Sequence, residues 1–182
     1  MEVWSIMYLF ENYGEKDYIG EPVTQKEHMV QAAMNAEKNN ESVEIIIACL
    51  LHDIGHLLIF NGNTQPMGNL GVMNHESEGA NFLRKLGYPE IIPTLVESHV
   101  KTKKYLARNK DYYDKLSEAS KQTLVYQGGV MSDEEAKEYE NHPNFKDFLK
   151  IRKYDEQAKV PNLEIKSLDY YESMITDYLN SQ

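Results

Sequence analysis

Cys49-Leu-Leu-His-Asp-Ile-Gly-His-Leu-Leu58 is the stretch that decides the fold. It closes an almost unbroken apolar run, Val43 to Leu51, in which only Glu44 is polar. The run has the length of a short buried helix and falls well below the roughly 20 residues needed to cross a membrane. A helix that is apolar nearly all round packs on several sides, so this one is expected at the centre of the fold. His52, Asp53 and, one turn later, His56 stand at its end. Imidazoles and a carboxylate carried that deep must be satisfied, and a metal ion satisfies them well. The plainer reading of a histidine–aspartate pair is a hydrogen-bonded couple in a core. The residues around this one decide between the two.

His-Asp-Ile-Gly-His after an apolar helix resembles the signature of the HD-domain superfamily. That pattern requires a further histidine upstream and an aspartate far downstream, and His28 and Asp155 supply them. A divalent metal takes neutral imidazoles and carboxylates from several elements, so that the fold fixes their geometry. His28, the His52-Asp53 pair and Asp155 would hold one metal. His75 and His99 are two further ligands, and with Asp53 bridging, six side chains would hold two. His142, in the polar turn Glu138-Tyr-Glu-Asn-His-Pro143, is read as a surface residue.

The remaining elements are read outward from this helix. Val3, Ile6, Met7, Leu9 and Phe10 make residues 3–13 an amphipathic helix that Gly14 stops. Asp17 to Thr24 is a loop. Thr24 with Glu27 forms a capping box that starts a helix running to about Asn39, and Ser42 is a possible cap for the central helix. Residues 61–74, with three glycines and a proline, form a long loop of the kind that tends to be functional. Helices follow over 76–86, over 91–100 with a lysine-rich continuation to 109, and over 117–126. A second capping box, Ser132 with Glu135, starts another. A helix over 144–159 and a terminal helix over 168–179, with Leu168, Ile175 and Leu179 on one face, complete the chain. No period-2 strand is evident. The expectation is an all-α, HD-type helical bundle around a central metal site, a single domain over 1–182 with its core motifs at about 18–159.

Composition limits the function classes. A net charge of −10 argues against sequence-independent nucleic-acid binding, while a locally positive pocket can still take a small anion. Cys49, the one cysteine, lies in the apolar run, so no disulfide forms within the chain and a reducing cytoplasm fits. Met1-Glu-Val-Trp4 does not have the character of a signal peptide. A cytoplasmic enzyme with neither membrane nor nucleic-acid partner is expected. Nothing in the sequence points to an oligomeric state.

Seven stretches sharpen the resemblance. Tyr18-Ile-Gly-Glu21, Gln25-Lys-Glu-His28-Met, Leu50-Leu-His-Asp-Ile-Gly-His56, His75-Glu-Ser-Glu-Gly-Ala80, His99-Val-Lys-Thr-Lys103-Lys-Tyr-Leu106, Gln127-Gly-Gly and Arg152-Lys-Tyr-Asp155 occur in this order. Together they are similar to the mixed-valent diiron oxygenases of the HD superfamily that cleave organophosphonates. The resemblance implies two iron ions as an Fe(II)/Fe(III) pair, with dioxygen as co-substrate. It implies that His28, His52, Asp53, His75, His99 and Asp155 are the iron ligands. The implied reaction turns a 1-hydroxy-2-aminoalkylphosphonate into phosphate and an amino acid such as glycine.

The resemblance also implies a catalytic trio and an anion site. Tyr18 would occupy an iron site until substrate arrives and then move off with Glu21, whose carboxylate would select the substrate amine. His56 would contact bound substrate. Lys103 would bind the phosphonate as a point charge. Ser120, Thr123 and Gln127, on one helix face, are assigned to the same anion, and Arg152 to orienting Asp155 or assisting with the anion. The leading rival is an HD phosphohydrolase acting on a nucleotide or other phosphate monoester with the same ligands. The inositol-cleaving relatives and a non-catalytic signalling module are weaker rivals, because Glu21 with Gln127-Gly-Gly and the full ligand set count against them.

Overall fold

A computed structural model of the chain describes residues 2–18, 20–61 and 71–182. Among the described residues, ten α-helices run in the order α1 (Glu2–Tyr13), α2 (Gln25–Lys38), α3 (Val43–Leu51), α4 (His75–Lys85), α5 (Ile91–Leu106), α6 (Lys110–Lys115), α7 (Glu118–Tyr126), α8 (Asp133–Glu140), α9 (Phe145–Gln157) and α10 (Leu168–Asn180). A 3-10 segment, Ile54–Asn61, follows α3. Among the described residues no strand forms; one isolated bridge, Asp17 to Thr24, closes the loop before α2. No described helix is long and apolar enough to cross a membrane. Residues 62–70, most of the expected long loop, lie outside the described residues.

The all-α expectation is met, and α3 is its centre. Ile45 to Leu51 are all buried, and α3 packs against α2, α5, α9 and α10. Full burial of each large aliphatic side chain stabilises the fold by roughly 1.5–3 kcal/mol. Ala32, Ala33 and Ala36 are fully buried on α2 and let it come close to α3. Thr24 and Glu27 make the expected capping box, and so do Ser132 and Glu135. Ser42 takes the N-cap position of α3 but makes no side-chain bond.

Three local expectations change. The expected lysine-rich continuation after Val100 is part of α5 but ends at Leu106, short of 109, and its final turns carry a buried Lys103. The helix over 144–159 stops at Gln157, so Lys159 lies beyond it. The terminal helix buries Tyr171, Ile175 and Tyr178, whereas Leu168 and Leu179 are only partly covered. There the amphipathic face is set by tyrosine rings, whose apolar bodies bury as readily as leucine.

One glycine fixes how the 3-10 segment meets α4. A Cβ on Gly55 would lie 1.9 Å from the carbonyl oxygen of His75. That approach seats the start of α4 against the end of α3 and brings His75 towards Asp53. Gly55→Ala is therefore expected to destabilise the fold by about 2–3 kcal/mol, a fall in Tm of about 5–10 °C by thermal melt.

Candidate metal centre and substrate cavity

Five elements deliver six buried ligating side chains to one place. His28 comes from α2, His52 and Asp53 from the end of α3, His75 from the first residue of α4, His99 from α5 and Asp155 from α9. His28 Nε2 and His52 Nε2 lie 3.0 Å apart, and so do His75 Nε2 and His99 Nε2. Asp53 stands between the pairs. Its Oδ2 is 3.3 Å from His28 and 3.4 Å from His52; its Oδ1 is 3.2 Å from both His75 and His99. Asp155 Oδ1 joins the first pair at 3.3 Å from His28 and 3.7 Å from His52.

The opposite ring nitrogens settle what this cluster needs. Each Nδ1 meets a main-chain carbonyl: His28 that of Ala158 at 2.9 Å, His52 that of Cys49 at 2.7 Å, His75 that of Val72 at 3.1 Å and His99 that of Val96 at 2.7 Å. A carbonyl only accepts, so Nδ1 carries the proton and each neutral ring turns a lone pair on Nε2 inward. Four lone pairs and the carboxylates then converge with no donor among them. Acceptors packed this closely repel unless a cation lies between them. Without a metal, a proton on His28 is that cation. Burial pushes the His28 pKa down, but hydrogen bonds to Asp155 and Asp53 outweigh it and raise the value to about 9. Burial would raise Asp53, yet its histidine neighbours hold it well below the usual carboxylate range. Imidazole nitrogen with carboxylate oxygen suits iron, zinc or manganese. His28, His52 and Asp53 form one group able to hold a metal ion; Asp53, His75 and His99 form another.

A cavity of about 50 Å³ adjoins the cluster, lined in part by Asp53, His75, His99 and Asp155. Its other walls carry Tyr18, Glu21, His56, Lys103, Ser120, Thr123, Gln127 and Arg152, so every site residue expected outside the ligand set reaches it. Lys103 is buried, and its Nζ donates to Thr123 Oγ1 at 2.9 Å. Burial, reinforced by the nearby Arg152, lowers its pKa to about 7. Arg152 donates from Nη1 to Asp155 Oδ2 at 2.5 Å and from Nε to Glu156 at 2.8 Å and Tyr112 Oη at 3.1 Å. Its Nη2 is buried and has no hydrogen-bond partner among the described residues.

His56 faces the same space as a neutral ring. Its Nδ1 accepts from the Val72 N–H at 3.2 Å, which leaves the proton on Nε2, 4.0 Å from Asp53 Oδ1. Burial, then the neighbouring His75, holds its pKa well below the ordinary value. The ring stacks on His75 with centroids 3.9 Å apart. Gly71, at φ +102°, leaves room for it, since a Cβ there would lie 2.7 Å from His56 Cε1. Tyr18 lies flat on His28, with centroids 4.0 Å apart, and burial followed by Asp53 keeps its phenol protonated. Glu21 pairs with Lys159 at 2.7 Å. His142 is exposed and away from the site, as expected.

The chain is similar to known proteins along most of its length. The family profile described as HD domain matches residues 26–174. The chain is 39% identical to the [1-hydroxy-2-(trimethylamino)ethyl]phosphonate dioxygenase (glycine-betaine-forming) of Leisingera caerulea, over 92% of this chain and 85% of that one. It is 35% identical to the hydroxymethylphosphonate dioxygenase of Gimesia maris, over 97% and 88% respectively. The chain belongs to the HD-domain oxygenase family. A protein of Acanthamoeba polyphaga mimivirus is 47% identical over 97% of this chain and 81% of its own length.

Two residues of this HD-domain oxygenase site escape a sequence reading. Gln25 is buried, lines the cavity and leaves Oε1 without a partner. Its position three residues before His28, on the same helix face, is the signal that would have found it. Lys159, four residues after Asp155, carries a similar spacing signal, but a lysine past a helix end reads as solvated. Two outcomes are expected. Asp53→Ala should leave the protein without bound metal, whereas His99→Ala should lower the content from about two ions to about one per chain by elemental analysis. Below a pH of about 7 the Lys103 ammonium is present, and above it the charge is lost. Affinity for methylphosphonate, read by calorimetry, should therefore fall as pH rises through about 7 relative to Lys103→Arg, which stays charged.

Proposed function

We propose that this chain is a diiron oxygenase, one HD domain over its length. In this reading it cleaves the carbon–phosphorus bond of a 1-hydroxy-2-aminoalkylphosphonate with dioxygen and releases phosphate and an amino acid such as glycine. The observation that carries this reading is the double engagement of Arg152. One arm of its guanidinium holds Asp155, the other is buried without a partner, and the residue lines the cavity. An anion bound there would sit against the metal ligands with a second cation, Lys103, beside it. The likeness to two phosphonate dioxygenases supports the same reaction class.

His28, His52, Asp53 and Asp155 would hold one iron ion, and Asp53, His75 and His99 the other. When bound as an Fe(II)/Fe(III) pair they supply the activation of dioxygen. The remaining chemistry belongs to the cavity. Lys103, Arg152, Ser120, Thr123 and Gln127 bind the phosphonate and fix its orientation. His56 donates its Nε2–H to the bound substrate. Glu21 accepts from the substrate amine, and Tyr18 moves aside with it as substrate enters. The overall reaction balances without another reductant: the hydroxyl-bearing carbon becomes a carboxyl, phosphorus leaves as phosphate, and dioxygen takes the four electrons.

The test is dioxygen uptake by iron-loaded, partly reduced protein given 2-amino-1-hydroxyethylphosphonate, with phosphate followed in parallel. Matched uptake and release is the expected result. Phosphate released from ordinary phosphate esters without oxygen consumption would replace the oxygenase by a phosphohydrolase.

A further inference from the structure

The Glu21 carboxylate is already occupied. Lys159 Nζ meets Glu21 Oε1 at 2.7 Å, and the two side chains are only 18% and 10% exposed. Exposed ion pairs between long side chains contribute little, because holding them in register costs entropy. This pair is set differently, because the main chain on both sides of Lys159 is pinned. The carbonyl of Ala158 accepts from His28 Nδ1 at 2.9 Å. Gln31 clasps the next residue, its Nε2 donating to the Val160 carbonyl at 2.8 Å and its Oε1 accepting from the Val160 N–H at 3.0 Å. His28 and Gln31 are both buried on α2, so the root of Lys159 is fixed by the helix that also delivers a candidate ligand. The ammonium stands 6.0 Å from the centre of the Tyr18 ring, and Tyr18 and Glu21 both line the cavity.

We propose that Lys159 is a specificity-determining residue: it is the resident cation of Glu21, which a substrate's cationic nitrogen must displace. The inference rests on the reading of Glu21 as the amine acceptor. A tethered partner competes at high effective concentration, so an incoming ammonium gains only the difference between its own pairing with Glu21 and that of Lys159. A 1-hydroxyphosphonate without a cationic nitrogen leaves the pair intact and meets no such competition. Lys159 therefore tilts the cavity towards phosphonates that are neutral at the far end, and Glu21 tilts it back.

The experiment is anaerobic calorimetry on the iron-loaded protein, where no turnover occurs, with 2-amino-1-hydroxyethylphosphonate and hydroxymethylphosphonate as the two probes. The readout is the ratio of their Kd values, which cancels any general loss of positive potential on the phosphonate. In Lys159→Met the preference for the amine probe should rise about tenfold, and Lys159→Arg should restore the wild-type ratio. In Glu21→Gln the preference should fall. A ratio unchanged in Lys159→Met, while Glu21→Gln shifts it, overturns the role of Lys159 alone; equal weakening of both probes would make Lys159 a plain anion-attracting residue. A ratio unmoved in Glu21→Gln overturns the amine-acceptor reading and this inference with it. If neither probe binds the wild-type protein, the phosphonate reading itself is lost.

Discussion

Four backbone carbonyls hold this site in the state it needs. By accepting from the Nδ1–H groups of His28, His52, His75 and His99, they turn every Nε2 towards Asp53 and Asp155. Left without a cation, such a set of acceptors is one of the most costly things a core can contain. The fold pays for it with the density around α3, where Ile47 to Leu51 are fully buried. The carbonyls of Cys49, Val96 and Val72 each lie three residues before the histidine they orient. Orientation is thus mostly local, and the helices need only supply position. His28 is the exception, since its carbonyl belongs to Ala158 beyond α9, which ties α2 and α9 together at the site.

The cavity reverses the polarity of the molecule around it. The chain carries a net charge of −10, yet Lys103 and Arg152 place two buried cations in one small space. Asp155 is what makes that tolerable: it faces the histidines with one oxygen and Arg152 with the other. Arg152 is held further by Glu156 and Tyr112, so that one of its nitrogens alone is left for a guest. Ligand shell and anion site are therefore one hydrogen-bonded unit, and a change in either is felt by the other.

Much of this was legible in the sequence, for physical reasons that differ by residue. His52 and Asp53 announce themselves because they end an apolar helix, and charge that deep needs a partner. His28, His75, His99 and Asp155 become readable in the family's order, and all reach the cluster. Ser120, Thr123 and Gln127 follow from helical spacing, and all line the cavity. Lys159 did not, because its partner lies 138 residues away and a lysine past a helix end reads as solvated. The burial of Tyr171 and Tyr178 in place of Leu168 and Leu179 was hidden for another reason: a hydroxyl makes a ring look polar to a pattern that counts aliphatics.

The central claim is that the converging acceptors are built for two metal ions in place of protons. Calorimetric titration of metal-free protein with Fe(II) under anaerobic conditions, repeated in buffers of different ionisation enthalpy, tests it most directly. At a pH of about 8, below the raised value of His28, the account predicts binding of about two ions per chain with release of protons and a higher Tm. Absence of binding, or binding with no proton released and no stabilisation, would contradict it.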